Sequence, residues 1–380
     1  MKAVGIIAEY NPFHNGHLYH LDKVKEMYPD NIIVLVLGSH FMQRGETSIV
    51  NKWDKTAIAL ENGIDIIVEL PFPFATQAAD LFARGSIQIL SSLGVETLVF
   101  GSESNDPVKL RERALIELDS SKYQDSFKKL LDTGLNYPTA LSKAIGNITN
   151  NEIDTPNDIL GVAYIKEIIK QGNDITPITI KRTNNYHGYE EDNTIVSASY
   201  IRGLLKEKNN IRSFVPKQTY NYLTNNLFFI EDYFPYLKYQ IMNNINNLHI
   251  FQTVDEGLEN RIKKYIYEAD SLKILVTKVK TKRYTYNKIM RMFTHILCNF
   301  TKEEARKYQN LRILGFSHKG QQYLNQIKKQ VKIPLITNYK SAKSTMLALE
   351  LRATCVYASI LNEKEKRQLI EDEYKKSPLR

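Results

Sequence analysis

The chain has 380 residues, with 51 Lys and Arg against 42 Asp and Glu (net charge +9), 43% hydrophobic and 24% charged residues. That length suits two domains with sizeable cores, and the composition is that of a soluble globular protein. Nothing approaches the roughly 18 apolar residues of a membrane-spanning helix. Two cysteines, Cys298 and Cys355, exclude a disulfide framework and fit a reducing cytoplasm.

In chain order, the apolar run Val4–Ala8 reads as a buried parallel strand, broken by Glu9, Asn11 and His14 too early for a signal peptide. A helix follows from Gly16 to Met27, a second strand at Ile32–Leu37, then the loop Gly38–Glu46 and a helix at Lys52–Glu61. Asp65–Leu70 is a third strand, stopped by Pro71 and Pro73. Thr76–Leu93 is a long amphipathic helix, and Glu96–Phe100 a fourth strand ending at Gly101–Glu103. Strand–helix alternation of this kind predicts an α/β fold built on a doubly wound parallel sheet. Ligands bind such sheets beyond the carboxyl ends of the strands. The His14 turn, the Gln43-Arg44-Gly45 loop and the Gly101 turn are therefore expected on one rim.

Residues 105–172 read as helical, with Pro107, Pro138 and Pro156 near helix starts, and Ile175–Arg182 as a fifth strand. A helix begins at Ser197, and the polar stretch Lys206–Arg212 closes a first domain, residues 1–215. Residues 216–380 form a second, mainly helical domain. Charge divides the same way. Residues 1–220 hold 23 Lys and Arg against 27 Asp and Glu, a net −4; residues 221–380 hold 28 against 15, a net +13. Lys-rich composition bias would make both halves basic, so the second half is expected to hold a polyanion.

The chemistry starts in the first turn. His14 and His17 lie at spacing i, i+3 at a helix N-terminus, where unpaired backbone N–H groups attract anions, and both imidazoles can donate to one phosphate. Gly16 removes a side chain where a base or ribose would approach. The arrangement suits ATP, with the histidines meeting charge that builds up in phosphoryl displacement. His-x-Gly-His alone is a weak pattern that a pair of surface histidines also satisfies; zinc is disfavoured because no Cys or acidic residue has a suitable local spacing. Ser197-Ala-Ser199-x-x-Arg202 offers hydroxyls, free N–H groups and a guanidinium at a second helix start, which makes a second phosphate clamp or, read alone, an ordinary capped helix. Arg182 ends the fifth strand on the same rim. Asn157 opens a helix where it can bind a ribose or base edge, and Tyr186-His187-Gly188 can join the site. In the basic half, Lys278, Lys280, Lys282, Arg283, Lys288 and Arg291 form the densest cationic stretch. Ile289, Phe293, Ile296 and Leu297 face inward there, His295 outward, and Tyr284 and Tyr286 interleave; such a face suits RNA phosphates and unstacked bases, or is a solvated helix surface. Lys340-Ser-Ala-Lys-Ser344 is similar to the KMSKS loop of class I aminoacyl-tRNA synthetases. Its place far downstream points instead to a phosphate contact or a solvated loop.

His14-x-Gly16-His17 resembles the HxGH signature of the nucleotidyltransferase superfamily. The longer set Glu9–His17, Gln43–Glu46, Glu69-Leu-Pro71, Phe100–Glu103, Pro156-Asn157, Ile159–Gly161, Ser197–Arg202, Lys282–Thr285 and Leu314–Phe316 resembles the bacterial tRNA(Met) cytidine acetate ligase family along the whole chain. His40 and Asp158 stand where that family usually has Asn. The resemblance implies a Rossmann-like nucleotidyltransferase domain and an ATP-dependent ligase. Such an enzyme activates acetate as acetyl-adenylate and acetylates N4 of the wobble cytidine of elongator tRNA(Met), with magnesium accompanying ATP. It implies His14 and His17 as catalytic residues. It implies an ATP site of Ile7, Ala8, Glu9, Tyr10, Asn11, Pro12, Phe13, His14, Asn15, Gly16, His17, Leu18, Tyr19 and His20, with Gly101, Asn157, Arg182, Ser197, Ser199 and Arg202. Metal ligands are not assigned, and neither a membrane nor DNA is an expected partner. A small-molecule adenylyltransferase explains the first half equally well but leaves the basic half without a purpose. A non-catalytic RNA-binding protein leaves the two clamps without one.

Overall fold

The computed structural model describes residues 1–149, 153–182, 194–304, 310–339 and 344–380. Seven strands form one sheet: β1 Ala3–Ala8, β2 Ile32–Gly38, β3 Ile66–Leu70, β4 Thr97–Ser102, β5 Thr176–Lys181, β6 Leu311–Phe316 and β7 Leu335–Ile336. Their order is β5-β4-β1-β2-β3-β6-β7. β1 to β5 run parallel, with Ala3 opposite Ile32 and Ala8 opposite Leu37. From β1 the chain steps to β2 and β3 on one side and returns to β4 on the other. The crevice at the ends of β1 and β4 is thus the topological switch point where ligands bind in such sheets. Central strands are buried on both faces, as their continuous apolar runs require. No helix among the described residues is long and apolar enough to cross a membrane.

The parallel α/β sheet and the helical second half match the expectation, and helices at Asn15–Met27 and Lys52–Glu61 fall where the pattern places them. Two differences matter. The helix expected from Thr76 begins at Ala79, because Pro71 and Pro73 open a separate short turn of helix over Phe72–Ala75. The second half also contributes strands: β6 pairs antiparallel with β3, and β7 parallel with β6. The largest hydrophobic cluster likewise joins β1 residues such as Val4 and Ile6 to Phe293, Ile296 and Tyr357. The expected division at residue 215 is therefore not a boundary of the sheet or of this core.

A buried ionic cluster fastens the two halves. Lys52 lies 2.7 Å from both Glu69 on β3 and Glu373 on the helix Glu363–Lys375. Arg312 on β6 pairs with Glu373 and approaches Glu69 at 3.6 Å. Burial pushes the Glu69 carboxyl up, but Lys52 and Arg312 together outweigh it and hold it below its usual value. Two cations and two carboxylates balance, which leaves Glu350 without a counter-charge. Burial, then the Glu69 charge, drives its carboxyl well up from its usual value while it accepts from the Phe72 N–H. Glu373→Gln, which leaves the buried Lys52 and Arg312 sharing the single carboxylate of Glu69, is expected to lose about 3–5 kcal/mol of stability in urea unfolding. Glu350→Gln behaves oppositely. The folded chain keeps the Glu350 proton where the unfolded chain releases it, so the residue costs stability increasingly above pH 4.5. The Gln variant should match or exceed the parent at pH 8 and lose that advantage on acidification; a loss as large as that of Glu373→Gln would contradict a protonated Glu350.

Candidate functional site

The turn after β1 is irregular and its polar groups are supplied with partners from elsewhere. Ile7 and Ala8 end the strand. Glu9, expected at the nucleotide, turns its carboxylate to the Gln43 N–H at 2.5 Å, and Lys55 donates to the Glu9, Gly38 and Ser39 carbonyls beneath. Tyr10 sits at φ +47°, a left-handed conformation held by packing: its ring meets Phe13 at 4.7 Å and His17 at 4.9 Å. Asn11 precedes a cis bond to Pro12; its side chain donates to the Thr47 carbonyl and accepts from the Ile49 N–H.

His14 caps the helix Asn15–Met27. Its Nδ1 accepts from the Gly16 N–H at 3.0 Å, and His17 Nδ1 accepts from the His14 N–H at 3.3 Å. With both Nδ1 lone pairs engaged, the proton of each neutral ring lies on Nε2. The two rings stack at 3.8 Å, 27° apart. Burial pulls His14 down to about 3, with Arg182 and Arg202 adding to it. His17 is held well below its usual value by burial, then by His14, Arg182 and His20, against the Pro12 carbonyl. His20 falls to about 4 through burial and Arg182, and its buried Nε2 has no hydrogen-bond partner. Gly16 has a structural role within the turn: a Cβ there would come within 2.9 Å of the His14 ring, so the missing side chain makes room for the imidazole. Asn15 binds the Thr194 and Ser213 carbonyls, which ties this helix to the second clamp. Leu18 packs against the core, and Tyr19 is exposed.

That second clamp is the helix Ala198–Lys206, capped by Ser197, whose hydroxyl accepts from the Tyr200 N–H. Arg202 donates to the Asn11 carbonyl at 2.8 Å, to Glu46 at 2.5 Å and to the Ser199 hydroxyl at 3.3 Å. The fold thus brings the two expected phosphate clamps together. Arg182 follows β5 and lies over Gly101. Asn157 is on the same side of the sheet, but its side chain donates to Glu103 at 2.5 Å. Asp158 accepts from Ser102, Thr155 and the Glu103 and Ser104 N–H groups, and so locks the end of β4 to the helix Pro156–Lys170. The pairings of Glu46 and Glu103 were missed in the sequence, because their partners lie 156 and 54 residues away. Tyr186–Gly188 and Lys340–Lys343 lie outside the described residues.

The basic stretch is less uniform than its composition implies. Lys280 and Lys282 are exposed, but Lys278 pairs with Glu268 at 2.5 Å and Arg283 with Glu256 at 3.0 Å. Lys288 stands 4.8 Å over the Tyr284 ring, which is buried with its hydroxyl on Glu256. His295 does not face outward: it is fully buried and hydrogen-bonds the Thr76 and Gln252 carbonyls and Thr253. Its helix is covered by first-half residues on a face that a lone amphipathic helix would leave wet.

A parallel sheet with paired histidines at its switch point and a helix N-terminus with an arginine opposite defines a nucleotidyltransferase-type nucleotide site. The HIGH nucleotidyl transferase family model matches residues 1–373. The tRNA(Met) cytidine acetate ligases of Geobacillus sp. (strain WCH70) and Anoxybacillus flavithermus are 39% and 38% identical, each aligned over all of both chains. The crystal structure of Thermotoga maritima TmcAL bound with alpha-thio ATP superposes with a TM-score of 0.91 at 30% identity, covering 100% of this chain and 99% of that one. The chain belongs to the tRNA(Met) cytidine acetate ligase family.

Five histidines, the buried His14, His40 and His295 and the partly exposed His17 and His20, have values below 6.5 when folded. The unfolded chain binds protons there first, so stability is complete above about pH 6.5 and lost as pH falls below it. The melting temperature should drop between pH 7 and 5, less steeply in His20→Gln; equal slopes would mean that His20 already carries a proton in the folded chain.

Proposed function

We propose that this chain is an ATP-dependent ligase that activates acetate as acetyl-adenylate and transfers the acetyl group to N4 of the wobble cytidine of elongator tRNA(Met), in the cytoplasm. Full-length identity to relatives of that name supports the substrates. The observation that carries the chemistry is the meeting of the stacked His14–His17 pair with Arg202 across the Asn11 carbonyl.

An acetate oxygen attacks the α-phosphorus of ATP, the bond to pyrophosphate breaks, and charge grows on the phosphate oxygens. The Nε2–H groups of His14 and His17 donate to that charge, and their neutrality keeps them donors without a fixed ion pair to break. The N-terminus of the Ala198 helix, with Ser197, Ser199 and Arg202, holds the phosphates from the other side. Arg182, Gly101, Asn157 and the Ile7–His20 segment receive the rest of the nucleotide. The cytidine amine then attacks the acetyl carbonyl, AMP leaves with the bonding pair, and the amine proton passes to solvent. Magnesium would accompany ATP and would neutralise charge on its phosphates; among the described residues no group of three or more His, Cys, Asp or Glu is placed to hold a metal ion. Residues 1–215 carry the adenylation, and residues 216–380, with Lys278, Lys280, Lys282, Arg283, Lys288 and Arg291, engage the RNA.

His14→Asn preserves the helix cap and is expected to lower acetate-dependent ATP–pyrophosphate exchange by a factor on the order of 10². Full exchange in this variant removes His14 from the mechanism. Incubation with ATP, labelled acetate and a tRNA pool should place the label on tRNA(Met) alone. ATP binding with no acetate-dependent exchange, even with tRNA present, rules out the ligase reading.

A further inference from the structure

The helix Tyr286–Leu297 is enclosed on nearly every side. From Ile289 to Cys298 only Arg291 escapes full burial, and Lys288, one turn earlier on the same stripe, is also partly exposed. This helix is wedged against the Gln43–Glu46 loop. Thr294 donates to the Gly45 carbonyl at 2.7 Å, and Gly45, at φ +82°, has no room for a side chain because the Met290–Arg291 backbone fills that space. Arg291 therefore leaves its helix beside the loop whose next residue, Glu46, holds Arg202.

Arg291 differs from several cations of this region. Lys278, Arg283 and Arg202 each have a carboxylate, whereas Arg291 has neither an ion pair nor a hydrogen bond among the described residues. Burial alone brings its guanidinium down to about 10, with no counter-charge to oppose it. A desolvated cation without a partner is costly unless an incoming anion completes it. Tyr286, at the start of the helix, keeps 51% of its surface exposed. Burial, then the charges of Glu46 and Glu231, raises its phenol.

We infer that Arg291 and Lys288 bind backbone phosphates beside the acceptor nucleotide and that Tyr286 stacks its base, so that this helix seats the reacting RNA residue against the Glu46–Arg202 pair. The inference rests on the RNA-acceptor reading above and deepens it: the broad basic surface supplies affinity, and this seat supplies placement.

The test compares Arg291→Gln, Arg291→Lys, Tyr286→Ala and Tyr286→Phe in tRNA acetylation, tRNA binding over a range of salt, and thermal unfolding. Arg291→Gln should raise the KM for tRNA about tenfold, as loss of one charge-assisted contact does, with the KM for ATP retained. It should also flatten the salt dependence by about one ion and leave the melting temperature equal or higher. Arg291→Lys should restore part of the loss. Tyr286→Ala should lower acetylation without changing the salt slope, and Tyr286→Phe should keep it. An unaltered KM for tRNA and salt slope in Arg291→Gln, or a fall in melting temperature with equal losses toward ATP and tRNA, overturns the seat. If the unaltered protein acetylates no RNA at all, the acceptor reading falls first; if it does and Arg291→Gln matches it, the seat alone falls.

Discussion

Arg202 reaches back to the carbonyl of Asn11, and the geometry of the site hangs on that contact. The turn between β1 and the Asn15 helix has no regular structure, so its buried polar groups need partners from outside. Thr47 and Ile49 satisfy the Asn11 side chain, Arg202 its carbonyl, and Gln43 the neighbouring Glu9 carboxylate. The histidines ride on a turn that is thus fixed before any ligand arrives, and a site held in this way spends little binding energy on ordering itself. The same guanidinium closes the second clamp, so one side chain joins the two sequence segments on which the proposed adenylation depends.

Charge is used in two ways in this fold. Inside, Lys52, Glu69, Arg312 and Glu373 form a balanced cluster with the buried Glu350 beside it, and this tethers β6 and the C-terminal helices to the parallel sheet. Such clusters contribute less to net stability than to the choice of one arrangement, since breaking them is costly while forming them barely repays desolvation. At the surface, by contrast, several cations of the basic half already have carboxylates, and their availability to a polyanion differs residue by residue. A net charge of +13 over residues 221–380 indicates a polyanion partner but does not say which cations are spent.

The most legible parts were those set by short-range physics. The strands β1 to β4 were readable because each is a short, largely apolar run bounded by turn residues, β5 because its residues alternate in character, and Ser197 was readable as a cap because capping needs only local backbone. His14 and His17 were readable because i, i+3 spacing at a helix start fixes their mutual geometry. Less legible were β6 and β7, whose place in the sheet depends on pairing with β3 across more than half the chain. His295 was misread for a related reason: helical periodicity marks one apolar face, and the second covered face is made by Thr76 and Gln252 from distant segments.

By itself the sequence determined the fold class, the two helix starts that carry the proposed phosphate clamps and the asymmetry of charge, because these follow from periodicity, capping and composition, which act within a few residues. The tertiary structure alone decided that Gly16 makes room for an imidazole, that Glu46 holds Arg202, and that the Glu350 carboxyl is driven well up. Each of these depends on which distant group is packed alongside, and burial turns such neighbours into the dominant electrostatic influence.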